Sequence, residues 1–159
     1  MANVTVISVG SLKEAYLREA VAEYKKRLSQ YARVEEIEIK EERINNEDNR
    51  AEIDTALSKE ADKILSAIPK DAFKIALCVE GKQYSSEELA SLIGTGCDKG
   101  GKIAIVIGSS YGLSEKVKKE CDLRLSFSKL TFPHQLMKVI LFESLYRSFT
   151  ILSGKRYHK

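Results

Sequence analysis

The sequence predicts an α/β fold in which a mainly parallel sheet is flanked by helices, and three observations carry that expectation. Segments with strand character alternate with segments of helical period along the 159 residues. Two strands of the second half, "FKIALCV" (73–79) and "KIAIVI" (102–107), are nearly unbroken apolar runs, as expected where both faces of a sheet are covered. Glycine or small polar residues follow the strand-like segments in three places, where an α/β sheet presents its binding loops.

Each element has its own signal. "NVTVISV" (3–9) alternates apolar and polar residues and reads as the first strand. From Leu12 to Tyr31, Leu17, Ala20, Val21, Tyr24 and Leu28 recur at helical spacing. "VEEIEI" (34–39) is a more charged strand, placed near a sheet edge, and "KEERINNEDNR" (40–50) is a polar loop. Ile53, Leu57, Ile64 and Ile68 line one face of a second helix, which Pro69 ends. Ser85 stands three residues before Glu88, the spacing of a capping box that opens a helix to about Cys97. "GLSEKVKKE" gives a short polar helix, "LRLSF" (123–127) a fifth strand, and Pro133 can start a final helix to about Leu152. That last helix is apolar almost all round, from Leu136 to Leu152, and needs cover on more than one side. A partner subunit is the expected cover; a fully internal helix is the competing reading.

Composition narrows the class. The length suits one domain, residues 1–159, with a core large enough to need no disulfides. No segment is apolar for long enough to span a membrane, and the N-terminus lacks signal-peptide features, so a cytoplasmic location is expected. Three cysteines, Cys78, Cys97 and Cys121, stand far apart, and with only two histidines they indicate neither a disulfide framework nor a metal site. Charge is uneven: residues 1–72 carry 12 Lys and Arg against 15 Asp and Glu, whereas residues 73–159 carry 14 against 8. The basic second half points to an anionic partner.

The loops exclude several common chemistries. "IGSSYGLS" (107–114) is not GxGxxG, because Ser110 takes the second glycine's place, and no Gly-Lys-Ser/Thr follows to make a P-loop. Ser109 and Ser110 do not form a GxSxG elbow. Glu143 and Arg147, four apart on the last helix, read either as an intrahelical ion pair or as an acid beside an RNA-contacting arginine.

Taken in order, "IGSSYGLS", "LSFSKLTFPHQLMKVILFESLYRSF" (125–149) and the terminal "YHK" closely resemble the RlmH family of SPOUT methyltransferases, bacterial enzymes that methylate N3 of a pseudouridine in large-subunit (23S) ribosomal RNA. The likeness runs the length of the chain. It implies a SPOUT-type fold with a C-terminal trefoil knot, S-adenosyl-L-methionine as cofactor, and a homodimer in which one subunit's tail reaches the other's cofactor. By similarity Leu77, Gly108 and the run Phe127, Ser128, Lys129, Leu130, Thr131 and Phe132 line the cofactor pocket. The polar interruption of "LSFSKLTFPH" then supplies main-chain donors and acceptors. His158 and Arg147 are the expected catalytic residues, and Lys138, Lys155, Arg156 and Lys159 are expected to meet phosphates of ribosomal RNA in the assembled ribosome. The chain departs from the family at Ser109, where a second glycine is usual; a positive φ there would strain the loop. That departure favours one alternative, a non-catalytic RNA-binding or ribosome assembly factor that keeps the fold; a nucleotide-binding regulator is a third, weaker reading.

Overall fold

A computed structural model describes residues 1–158. Ten elements alternate along it: β1 (Ala2–Val9), α1 (Ala15–Leu28), β2 (Ala32–Ile39), α2 (Arg50–Ala67), β3 (Phe73–Gln83), α3 (Ser86–Asp98), β4 (Lys102–Ile107), α4 (Glu115–Glu120), β5 (Leu123–Ser126) and α5 (His134–Leu152). The strands form one sheet in the order β2-β1-β4-β3-β5, and every neighbouring pair is parallel. The charged strand β2 is at an edge, as its sequence indicated.

Helices cover both faces. Val4, Val6, Ile75, Ile103 and Ile105 pack with α1, α3 and α5 on one side; Ile7, Val9, Ala76 and Val106 pack with α2 and α4 on the other. Alternate residues of each strand therefore enter opposite cores, which is why β4 is apolar at five consecutive positions.

Several boundaries differ from the sequence reading for local reasons. α1 begins at Ala15 rather than Leu12, and its N-cap Glu14 makes no side-chain cap. Pro133 occupies the N-cap of α5, with φ −53° and ψ 132°, so the helix starts one residue later. The capping box of α3 is present in full: Glu88 N donates to Ser85 Oγ at 3.1 Å, and Ser85 N donates to Glu88 Oε2 at 2.7 Å. β3 runs past Val79 to Gln83, because its register against β5 breaks and resumes: Leu77 and Lys82 both pair with Leu125. The residues between, Cys78 to Gly81, are thrown out of the ladder as a bulge.

Candidate active site

The carboxyl ends of β3, β4 and β5 lie side by side, and the loops that leave them enclose a cleft of about 710 Å³. Leu77, Ile107 and Leu125, apolar residues toward the carboxyl ends of the three strands, form part of its lining. Tyr111, Phe127 and Phe132 add aromatic surface. Size and lining suit a small organic ligand with a flat apolar part.

Close backbone approach shapes the β4 loop. A Cβ on Gly108 would lie 2.3 Å from the Gly112 carbonyl oxygen, so no side chain fits. Gly112 itself has φ +87°, and its N–H donates to Ser109 O at 2.9 Å to close the turn. Ser109 carries none of the expected strain: Asp71 is the one non-glycine residue with positive φ among the described residues. The Ser109 hydroxyl is buried and accepts from Tyr111 N at 3.3 Å. Tyr111 is turned toward the 40–50 loop, where burial and a hydrogen bond to Glu47 push its phenol up.

Two other loops complete the walls. A Cβ at Gly81 would come within 2.7 Å of the Arg124 carbonyl oxygen, so the β3 bulge depends on that glycine, and Val79 and Glu80 reach the cleft because of it. After β5, Ser126 Oγ donates to Ser128 O at 3.0 Å and Leu130 N donates to Ser128 Oγ at 3.0 Å. These serines bend the segment through their own hydrogen bonds, without secondary structure.

The cleft brings together Leu77, Gly108, Phe127, Ser128, Leu130, Thr131 and Phe132, all expected from the sequence. Lys129 is a correction: it is exposed and does not line the cleft, because the Ser128 turn directs it to solvent. The sequence reading missed Glu80, Tyr111, Lys118, His134 and Met137 in the lining. Tyr111 could have been found, since it sits inside "IGSSYGLS"; Lys118 could not, since its short helix has the composition of a solvated face.

A family profile described as "Predicted SPOUT methyltransferase" matches residues 2–158. The chain belongs to the SPOUT methyltransferase family. It is 47% identical to "Ribosomal RNA large subunit methyltransferase H" of Caldicellulosiruptor saccharolyticus, over 98% of this chain and 99% of that protein. To the protein of the same name in Shouchella clausii it is 48% identical, over 99% of both chains. Among solved structures, "a probable methylase family protein" from Haemophilus influenzae matches with a TM-score of 0.51 over 97% of this chain and 67% of that one. At 14% identity that likeness concerns the fold alone.

In this SPOUT protein the C-terminal tail doubles back on its own chain. Arg147 Nε donates to Glu143 Oε1 at 3.0 Å, and the Tyr157 hydroxyl donates to the same oxygen at 3.2 Å. The hydrogen bond to Glu143 raises the Arg147 guanidinium above its ordinary value, so it stays charged. Burial and the Glu143 charge push the Tyr157 phenol up to about 12, so it keeps its proton. Arg147 Nη1 lies 3.1 Å from His158 Nδ1, and His158 Nε2 lies 2.7 Å from Glu87 Oε1. A guanidinium can only donate, so Nδ1 accepts and the ring proton sits on Nε2, facing Glu87. Both ring nitrogens are thus engaged, one by Arg147 and the other by Glu87. Of the two sequence readings of Glu143 and Arg147, the intrahelical ion pair is present, and the arginine also holds the tail through His158.

The phosphate-contact residues fare differently. Lys138 is a correction, because its side chain is 4% exposed and paired with Glu36 at 3.0 Å and Glu38 at 3.8 Å. Burial pushes the Glu36 carboxyl up, but hydrogen bonds from Lys25 and Lys138 outweigh it and hold it below the usual carboxylate value. Lys138 thus braces α5 against β2 and presents no charge outward. Lys155 and Arg156 are exposed, with Lys155 Nζ donating to Gln30 Oε1 at 3.0 Å. Lys159 lies outside the described residues.

Proposed function

We propose that the protein is an S-adenosyl-L-methionine-dependent methyltransferase acting on N3 of a pseudouridine in large-subunit ribosomal RNA. It works as a cytoplasmic homodimer on the assembled ribosome, with the knotted C-terminal fold of its family. The observation that carries this reading is the convergence of three strand-end loops on one cleft whose Gly108 wall admits no side chain. The residues present fit the cofactor. Leu77, Leu130 and the aromatic rings offer apolar cover for adenine, while loop main chain and Thr131 offer hydrogen bonds.

When bound, S-adenosyl-L-methionine supplies a methyl group already made electrophilic by its sulfonium. What the chain must supply is alignment and control of the acceptor's proton. The walls around Gly108 and Ser128–Phe132 hold the donor side in a fixed place. Arg147, fixed by Glu143 and permanently charged, stabilises the anion left when the imide loses its proton. Arg147 lies thirteen positions along α5 from His134 at the cleft, roughly 20 Å. Arg147 therefore meets a partner's cleft rather than its own. His158 takes part as the holder of Arg147; to accept the proton it must leave its seat between Arg147 and Glu87. Lys155, Arg156 and Lys159 meet backbone phosphates, which adds affinity without sequence readout.

The homodimer has its own support. Leu136 stays 39% exposed and Leu152 46% exposed in one protomer, and Met137, Val139, Ile140 and Ile151 are only half-buried. α5 is thus left uncovered along an outer stripe, which a second copy would close.

Labelled methyl transfer to large ribosomal subunits from a strain lacking this protein, with the product mapped, tests the proposal. Label on N3 of one pseudouridine is expected. Label on another base, or none on ribosomes while the protein remains folded, would overturn it.

A further inference from the structure

Among the described residues lining the cleft, Glu80 is the only carboxylic acid and Lys118 the only lysine or arginine, and they are paired with each other. They come from different elements for different reasons. Glu80 is on the β3 bulge that Gly81 makes possible, with its side chain 54% exposed. Lys118 is on α4, seated by the fully buried Val117, with its side chain 12% exposed and Glu115 at 3.8 Å. The hydrogen bond from Lys118 holds the Glu80 carboxyl below its usual value, so the acid is ionised at neutral pH.

We propose that Glu80 and Lys118 form the subsite for the amino-acid end of the donor, Glu80 meeting the ammonium and Lys118 the carboxylate. This rests on the S-adenosyl-L-methionine reading above. The rest of the lining is apolar, aromatic, hydroxyl, thiol, imidazole or main chain, and none of it carries a fixed charge. A zwitterionic head group is costly to bring into such a cleft unless both its charges find partners. One acid and one base, adjacent and preformed, match it in sign and number. Without ligand the pair neutralises itself, so neither charge is left unpaired.

The competing role is a brace that ties the β3 bulge to α4. Two ligands separate the two roles. S-adenosylhomocysteine carries the amino-acid end, whereas 5′-methylthioadenosine shares the nucleoside and lacks that end. Calorimetric affinities are measured for both with the wild-type protein, Lys118→Met and Glu80→Gln. The expected result is a fall of about tenfold for S-adenosylhomocysteine in each variant, as for loss of one charge-assisted hydrogen bond, with less than about a twofold change for 5′-methylthioadenosine. Equal loss of both ligands, or no loss of either, would overturn the subsite and leave the brace. Wild-type protein that binds neither ligand would instead overturn the donor reading itself. Glu80→Gln, nearly isosteric and at the exposed end of the pair, gives the answer even where Lys118→Met disturbs α4.

Discussion

Glu60 is 3% exposed on α2; its Oε2 accepts from Glu42 N at 2.9 Å, and its Oε1 has no hydrogen-bond partner among the described residues. Burial raises its carboxyl above the ordinary value, with Glu41 and Glu42 adding to the shift. A raised acid favours the folded state while protonated, and that contribution is lost as pH rises through the raised value. The melting temperature of Glu60→Gln relative to wild type should therefore increase between about pH 4 and about pH 8, because the amide does not titrate. A difference that is constant or falls with pH would contradict the assignment. The spacing of Ile53, Leu57 and Ile64 already placed position 60 on the buried face, but the residue type argued for solvent. Gly108 was equally half-legible. Its place after a strand was visible, yet the reason for glycine is contact with Gly112, which no spacing rule encodes.

At the scale of elements, local signals were read well and pairing-dependent ones were not. Ser85 and Glu88 cap α3 because both partners lie within one turn, so the sequence suffices. The β3 bulge was invisible because it arises from how β3 meets β5, a strand forty residues on, and it carries Glu80 into the cleft. The tail was legible only by resemblance, and its contacts with Glu87, Glu143 and Arg147 depend on the chain folding back. Those contacts are largely at the surface, where each is worth little to stability. Deleting residues 155–159 should leave donor affinity within about twofold and the fold intact, while methyl transfer to ribosomal subunits is lost. Unchanged turnover would exclude the tail from the reaction.

For the whole molecule, β-α alternation and two apolar central strands were enough to specify a parallel sheet with helices on both faces. Coverage of α5 depends on a surface outside the protomer, and the sequence could state only that cover is needed. Ile140→Glu places a charge on the outer stripe without touching the buried Leu141 and Phe142. Sedimentation should show twice the chain mass for wild type and one chain for this variant, with unchanged circular dichroism; a variant that stays paired would move the dimer contact elsewhere. Donor binding in the cleft is the claim on which the rest stands. Calorimetric titration with S-adenosyl-L-methionine should give saturable binding at one site per chain, weakened about tenfold or more by Gly108→Ala, since overpacking against the Gly112 backbone costs about 1–3 kcal/mol. No saturable heat with folded wild-type protein, or equal affinity in Gly108→Ala, would contradict it.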